Sequence, residues 1–150
     1  MELQTQRLKI IPCTEQSLQI TPAMFDYQIG PHIDMYLANI EQDPSLAGWG
    51  VWLVIKKEEN TIIGDIGFKG KPDSNKVVEI GYGIAPSLQK KGYATEAVRE
   101  IINWAFTCNH VEKIIAECQY ENTASIRVLE KLHFQGSEPV KNMLKWQLNK

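Results

Sequence analysis

Gln89-Lys90-Lys91-Gly92-Tyr93-Ala94 lies between a strand-like run and an amphipathic helix. Upstream, Val77-Val78-Glu79-Ile80-Gly81-Tyr82-Gly83-Ile84-Ala85 reads as a strand. Pro86 closes it, because proline brings no N–H to a ladder. Downstream, Ala94, Ala97, Val98, Ile101, Ile102, Ala105 and Phe106 recur at the spacing of one helical face. A small-residue turn that opens a helix bares the first backbone N–H groups of that helix. Such groups attract anions, a pyrophosphate among them. Gly92 and Ala94 keep bulk away from that backbone. The physics points to an anion site at a strand–helix junction.

Working outward, Arg7–Cys13 alternates as a strand. Residues 14–49 are the least regular stretch, interrupted by Pro22, Pro31 and Pro44. Within them Ile33, Tyr36, Leu37 and Ile40 share a helical face, entered after Gly30-Pro31 and left before Asp43-Pro44. Residues 50–56 and 61–69 read as two strands joined by the polar break Lys57-Glu58-Glu59-Asn60. Then come a turn at 71–75, the strand 76–85, the helix 93–107 and a strand at 113–118. A helix at about 122–132 and a strand at 143–148 end the series. Strands first, then strand–helix–strand–helix–strand, gives an α+β fold. Its front half is antiparallel, and a crossover joins two parallel strands. No repeat or low-complexity stretch divides the chain, so one domain over residues 1–150 is expected.

Composition narrows the function classes. The chain has 150 residues, 43% hydrophobic and 23% charged, which suits a soluble domain with a real core. No window approaches the ~20 apolar residues of a membrane helix. Met1-Glu2-Leu3-Gln4 has neither the charge nor the apolar continuation of an export signal. Cys13, Cys108 and Cys118 are widely spaced, without metal-ligand or redox pairing, so no metal is expected and a cytoplasmic setting is. A net charge of −2 argues against a nucleic-acid groove. Lys69 and Lys71 read equally well as a solvated face or a basic cluster, whereas Lys90 and Lys91 flank the anion turn. Dinucleotide and phosphate-loop motifs fail on spacing: the first needs glycine at Pro86, the second at Asp65.

Glu79-Ile80-Gly81-Tyr82-Gly83-Ile84-Ala85-Pro86, followed by Gln89-x-x-Gly92-x-Ala94-Thr95-Glu96-Ala97, resembles the acetyl-coenzyme A site of the GNAT superfamily of N-acetyltransferases. About thirty residues on, Asn122-Thr123-Ala124-Ser125-Ile126-Arg127-Val128-Leu129-Glu130-Lys131-Leu132-His133-Phe134 is similar to the second signature of that family. Thr61–Phe68 is similar to its central hairpin. Leu3–Ile10 looks like the first strand of the branch that acetylates protein N-termini, ribosomal proteins included. The resemblance implies a mixed central sheet, antiparallel in its N-terminal half and flanked by helices. That sheet splays between its fourth and fifth strands, where acyl-coenzyme A sits. It implies coenzyme contacts from Gly83, Ile84, Gln89, Lys90, Lys91, Gly92, Tyr93, Ala94, Thr95 and Asn122. It also implies an acceptor site built before the second strand, for which Phe25, Tyr36 and Trp49 are the candidates.

Amide formation from a thioester needs a neutral amine, a proton acceptor and a proton for the leaving thiolate. Glu79, on the strand leading to the turn, is the candidate base; a plain edge carboxylate is the alternative. Asn122 suits a helix N-cap whatever else it does. Ser125 matches the serine that acts as general acid in the ribosomal-protein branch. Many relatives carry a tyrosine acid where this chain has Leu129, which cannot donate; Tyr120 and Tyr82 stand in reserve. Leu132-His133-Phe134 replaces the usual Leu-Gly-Phe, with histidine expected at a left-handed helix end on the surface. His32 and His110 show no partner and read as loop residues. The leading expectation is an acetyl-coenzyme A-dependent N-acetyltransferase acting on a primary amine by direct attack in a ternary complex, as a monomer or homodimer. A non-catalytic acyl-coenzyme A binding or sensing module is the alternative.

Overall fold

Alternating apolar residues and polar turns build the strands, and the computed structural model describes residues 1–150. The strands are β1 (Leu3–Gln4), β2 (Leu8–Pro12), β3 (Val51–Lys56), β4 (Thr61–Phe68), β5 (Val77–Ile84), β6 (Lys113–Gln119), β7 (Gln135–Gly136) and β8 (Met143–Asn149). They form an 8-stranded sheet in the order β1-β2-β3-β4-β5-β6-β8-β7. The helices are α1 (Glu15–Ile20), α2 (Pro31–Gln42), α3 (Tyr93–Thr107) and α4 (Thr123–Lys131). Neighbours from β1 to β5 are antiparallel. α3 carries the crossover to β6, which runs parallel to β5.

The ladder between β5 and β6 is short. It pairs only Val77–Glu79 with Lys113–Ile115. Beyond that point β5 stays with β4 through Ile84, and β6 stays with β8 through Gln119. The two strands therefore splay apart where the resemblance implied it, between the fourth and fifth long strands. The two edge strands β1 and β7, each a pair of residues, were not anticipated, being too short to show a period.

Two apolar clusters occupy the two faces of the sheet. One face carries Trp52, Val54, Ile66, Phe68, Val78 and Ile80 against Ala97, Val98, Ile101 and Ile102 of α3. The other carries Leu53, Ile55 and Ile62 against Ile33 and Tyr36 of α2. The register slips between Val54 and Ile55, where Ile55 faces Ile62 but Val54 faces Gly64. The extra residue in β4 puts Ile63 in the first cluster with Ile66 and Phe68. Asp65, Gly67 and Lys69 consequently turn to the α2 face, a re-aiming that bulges commonly perform beside functional sites.

Candidate active site

The turn after β5 is unusual in its backbone. Lys90 and Gly92 both have left-handed φ, 65° and 84°. Gly92 caps α3 without any side-chain bond, and its C=O receives the first helical N–H, from Glu96, at 3.0 Å. The N–H groups of Gly92, Tyr93, Ala94 and Thr95 have no acceptor within the chain. Free donors converging on a helix start suit an anion with several oxygens. Lys90 and Lys91 are exposed beside them. Gln89 turns back, its amide donating to the Ile84 C=O at 3.1 Å.

Arg7 holds this turn in place. Its guanidinium donates to the Lys91 C=O at 3.1 Å and pairs with Glu96 at 2.8 Å. It also stacks 4.1 Å from the centroid of the Tyr93 ring. The Arg7 backbone N–H and the Thr5 hydroxyl complete the shell around Glu96. Burial raises the pKa of Glu96, but the bonds from Thr5 and Arg7 outweigh it and hold the carboxyl below its usual value. Sequence reading missed this role, because no local spacing links residue 7 to residues 91–96.

The opening between β5 and β6 starts at the free side of β5. The Lys69 N–H donates to the Glu79 C=O, and the Ala85 N–H donates to the Ile63 C=O. Alternation then assigns 79, 81, 83 and 85 to β4, and turns the backbone groups of Tyr82 and Ile84 toward the split. An extended ligand with amide groups can bond there as an added strand would. Tyr82 reaches across below, its hydroxyl 3.5 Å from the Ser125 C=O. Burial pushes the Tyr82 hydroxyl up to about 12, so it stays protonated.

A second opening lies on the α2 face, a cleft of about 620 Å³ whose lining includes His32, Tyr36, Trp49, Asp65 and Lys69. Its floor contains Gly81 and Gly83. A Cβ at Gly83 meets nothing within 4 Å, and one at Gly81 only the Lys69 Cε at 3.7 Å. Tyr36 is 7% exposed, and its hydroxyl is buried without a partner in the chain. Trp49 packs its ring 4.9 Å from that of Trp104. Phe25 is 86% exposed and lies outside the cleft lining. Its neighbour Asp26 is drawn to the N–H and hydroxyl of Ser87, which leaves the Phe25 ring outside.

Glu79 is paired with Lys69 at 2.8 Å on the face that also carries Gly81. Lys71 pairs instead with Asp43 at 3.0 Å, so both lysines serve ion pairs. Asn122 accepts the Ser125 N–H at 3.1 Å, a cap as its residue type dictates. Ser125 is half-buried in the first turn of α4 near Tyr82. Leu129 is a core residue, 1% exposed. His133 ends α4 at φ 68°, exposed, as expected of the residue standing for glycine. His32 departs from the sequence reading, because the first turn of α2 carries its ring to Asp65, 3.0 Å away. The bulge that aims Asp65 at it was invisible from residue 32.

Residues 15–135 match the family described as Acetyltransferase (GNAT) domain. The chain belongs to the GNAT acetyltransferase family. Among GNAT relatives, the uncharacterized N-acetyltransferase YjdG of Bacillus subtilis (strain 168) is 41% identical over 87 residues, covering 58% of this chain and 52% of YjdG. The uncharacterized N-acetyltransferase p20 of Bacillus licheniformis is 39% identical over 82 residues, 55% of this chain and 46% of p20. The chain thus spans about half the length of the curated relatives it matches. A GNAT-family acetyltransferase from Bacillus anthracis superposes with a TM-score of 0.73 at 22% identity, covering 99% and 98% of the two chains. The ribosomal-protein-S5-alanine acetyltransferase of Vibrio fischeri reaches 0.80 at 15% identity, covering 99% and 96%. At these identities the likeness is one of fold.

Proposed function

We propose that this GNAT chain is an acetyl-coenzyme A-dependent N-acetyltransferase that acts on a primary amine by direct attack in a ternary complex. The observation that carries the reading is the set of unpaired N–H groups from Gly92 to Thr95 at the mouth of the β5–β6 split. The residues fit the coenzyme: free helix-start donors for a pyrophosphate, and the split-facing edge of β5, where only the Ile84 C=O is engaged, by Gln89, for an amide-bearing arm. Gly83, Ile84 and the turn from Gln89 to Thr95 would hold it, with Asn122 across the split. When bound, the coenzyme supplies an acetyl thioester.

The chain's own groups would then do the following. The cleft over Gly81 admits the amine from the α2 face, so donor and acceptor enter from different faces. Glu79, freed from its exposed partner Lys69, takes the amine proton directly or through water. An α-amine, with a reference pKa of about 7.7–8.0 against about 10.4 for lysine, asks least of such a base. Ser125, at the start of α4, supplies a proton to the departing sulfur. A protein α-amine is therefore one acceptor the reading accommodates, and the Vibrio fischeri protein of similar fold is a ribosomal-protein-S5-alanine acetyltransferase. A cytoplasmic setting and the absence of nucleic-acid or membrane partners belong to the same reading. No helix of the chain is long and apolar enough to cross a membrane.

Thiol release from acetyl-coenzyme A, measured across a panel of peptides and small amines, tests the reading. At least one amine should stimulate release, and no acetylated protein should form without it. Leu129 in the core favours the second reading, a binding or sensing module without turnover. Tight coenzyme binding with no amine-stimulated release would establish that reading instead.

A further inference from the structure

Asp65 is the one carboxylate lining the α2-face cleft. Its side chain is 17% exposed, and no lysine or arginine pairs with it. Lys69, the one lysine lining the cleft, is engaged by Glu79. Tyr27 and His32 hold the Asp65 carboxylate instead. The Tyr27 hydroxyl donates to Oδ2 at 2.7 Å, and the His32 ring lies 3.0 Å from Oδ1. Burial first, and then the bond to Asp65, drives the Tyr27 pKa far up, so Tyr27 donates without adding charge. The main chain fixes Tyr27 through the turn bond from its N–H to the Met24 C=O, while Met24 is tied to the Ile62 C=O. His32 is 55% exposed and is the displaceable partner.

The surroundings of this carboxylate are set for a ligand. Asp65 faces Gly83 across the ladder, and Gly83 leaves the space above it open. Glu79 stands on the same face of β5, roughly 13 Å from position 83 at ~3.3 Å per residue. Asp65 thus lies at one end of a glycine floor walled by Tyr36 and Trp49, and Glu79 lies beyond the other end, outside the lining. A carboxylate in an apolar cleft attracts a cation more strongly than one in water, because screening is weaker there.

We infer that Asp65, held by Tyr27 and His32, is a specificity-determining subsite that docks a positively charged group of the acceptor, remote from the nitrogen that reacts at the Glu79 end. The acceptor is then an amine with an apolar body and a further positive charge. This rests on the transferase reading only for the word acceptor; the cation subsite stands on the cleft itself.

Equilibrium binding of n-hexylamine and its neutral analogue n-hexanol tests it, by calorimetry at a pH where the amine is charged. The wild-type protein should bind hexylamine at least ~10-fold more tightly than hexanol. Asp65→Asn, which keeps an oxygen for Tyr27, should abolish that preference, and so should the smaller neutral replacement Asp65→Ser. No preference in the wild type overturns the inference without any variant. A preference that survives in Asp65→Ser overturns it as well, even if Asp65→Asn fails to fold. So does a preference that survives in folded Asp65→Asn. Turnover plays no part in the readout. A protein that binds hexylamine through Asp65 yet never releases thiol would refute the transferase reading and leave the subsite intact.

Discussion

At the level of single residues, proton transfer turns on Glu79 and Ser125, and their settings differ. Glu79 is three-quarters buried but tied to a lysine that is 64% exposed, a pair of small worth that an incoming amine can displace. Glu79→Gln should lower turnover most below the pKa of the acceptor amine, where deprotonation limits the reaction. The loss should shrink as pH rises; a steady-state rate profile with a constant loss would assign Glu79 a purely structural part. Ser125 has its N–H occupied by Asn122, and the Tyr82 hydroxyl lies against it. Coenzyme A thiolate is a good leaving group, so Ser125→Ala should cost about 10–100-fold in kcat with little change in coenzyme affinity. A parallel fall in affinity would mean that the residue acts through the helix cap.

Among the elements, the turn at 89–94 and the floor of β5 should separate donor binding from acceptor binding. Gly92→Glu adds a carboxylate at a left-handed position beside the free donors, with a Cβ 3.3 Å from the Arg7 guanidinium. Calorimetry should show acetyl-coenzyme A affinity reduced by at least ~10-fold in a folded protein, through steric and charge exclusion. Gly81→Leu should do the reverse, filling the cleft and raising the acceptor KM while coenzyme affinity holds. The sequence revealed these elements unevenly. The strand–turn–helix at 77–107 was legible because period, proline and glycine all agree there. So were α2, with Gly30-Pro31 at its entrance, and α4, with Asn122 at its cap. The acceptor cleft was only half legible. Tyr36 and Trp49 were readable as aromatics in the right segment, but Asp65 and His32 meet through a bulge and a helix start 33 residues apart. Nothing in the local pattern of either residue announces that contact.

For the whole molecule, the Arg7–Glu96 pair joins the first strands to the crossover helix and so couples stability to the coenzyme turn. Arg7 and Thr5, just ahead of β2, reach Glu96 of α3 across 89 and 91 residues of chain. The folded-state pKa of Glu96 lies below its ordinary value, despite burial, because charged and neutral donors favour the anion. A carboxyl depressed in this way stabilises the fold fully above its unfolded pKa. That contribution is lost as pH falls through the folded-state value. Glu96→Gln should therefore cost about 1–2 kcal/mol at neutral pH, the lower part of the range for charge-assisted bonds because Arg7 is partly exposed. At about 2–4 °C per kcal/mol for a domain of this size, the loss is readable in a thermal melt. The gap between the variant and the wild type should narrow from the ordinary carboxylate range downward, as the wild-type Glu96 takes up its proton. Melts from neutral pH to below that range decide the matter. A gap that stays constant would mean that packing of the Glu96 side chain, and not its charge, holds β2 to α3. Arg7→Ala should reproduce the neutral-pH loss and also weaken coenzyme binding, because it removes the donor to the Lys91 C=O that fixes the turn.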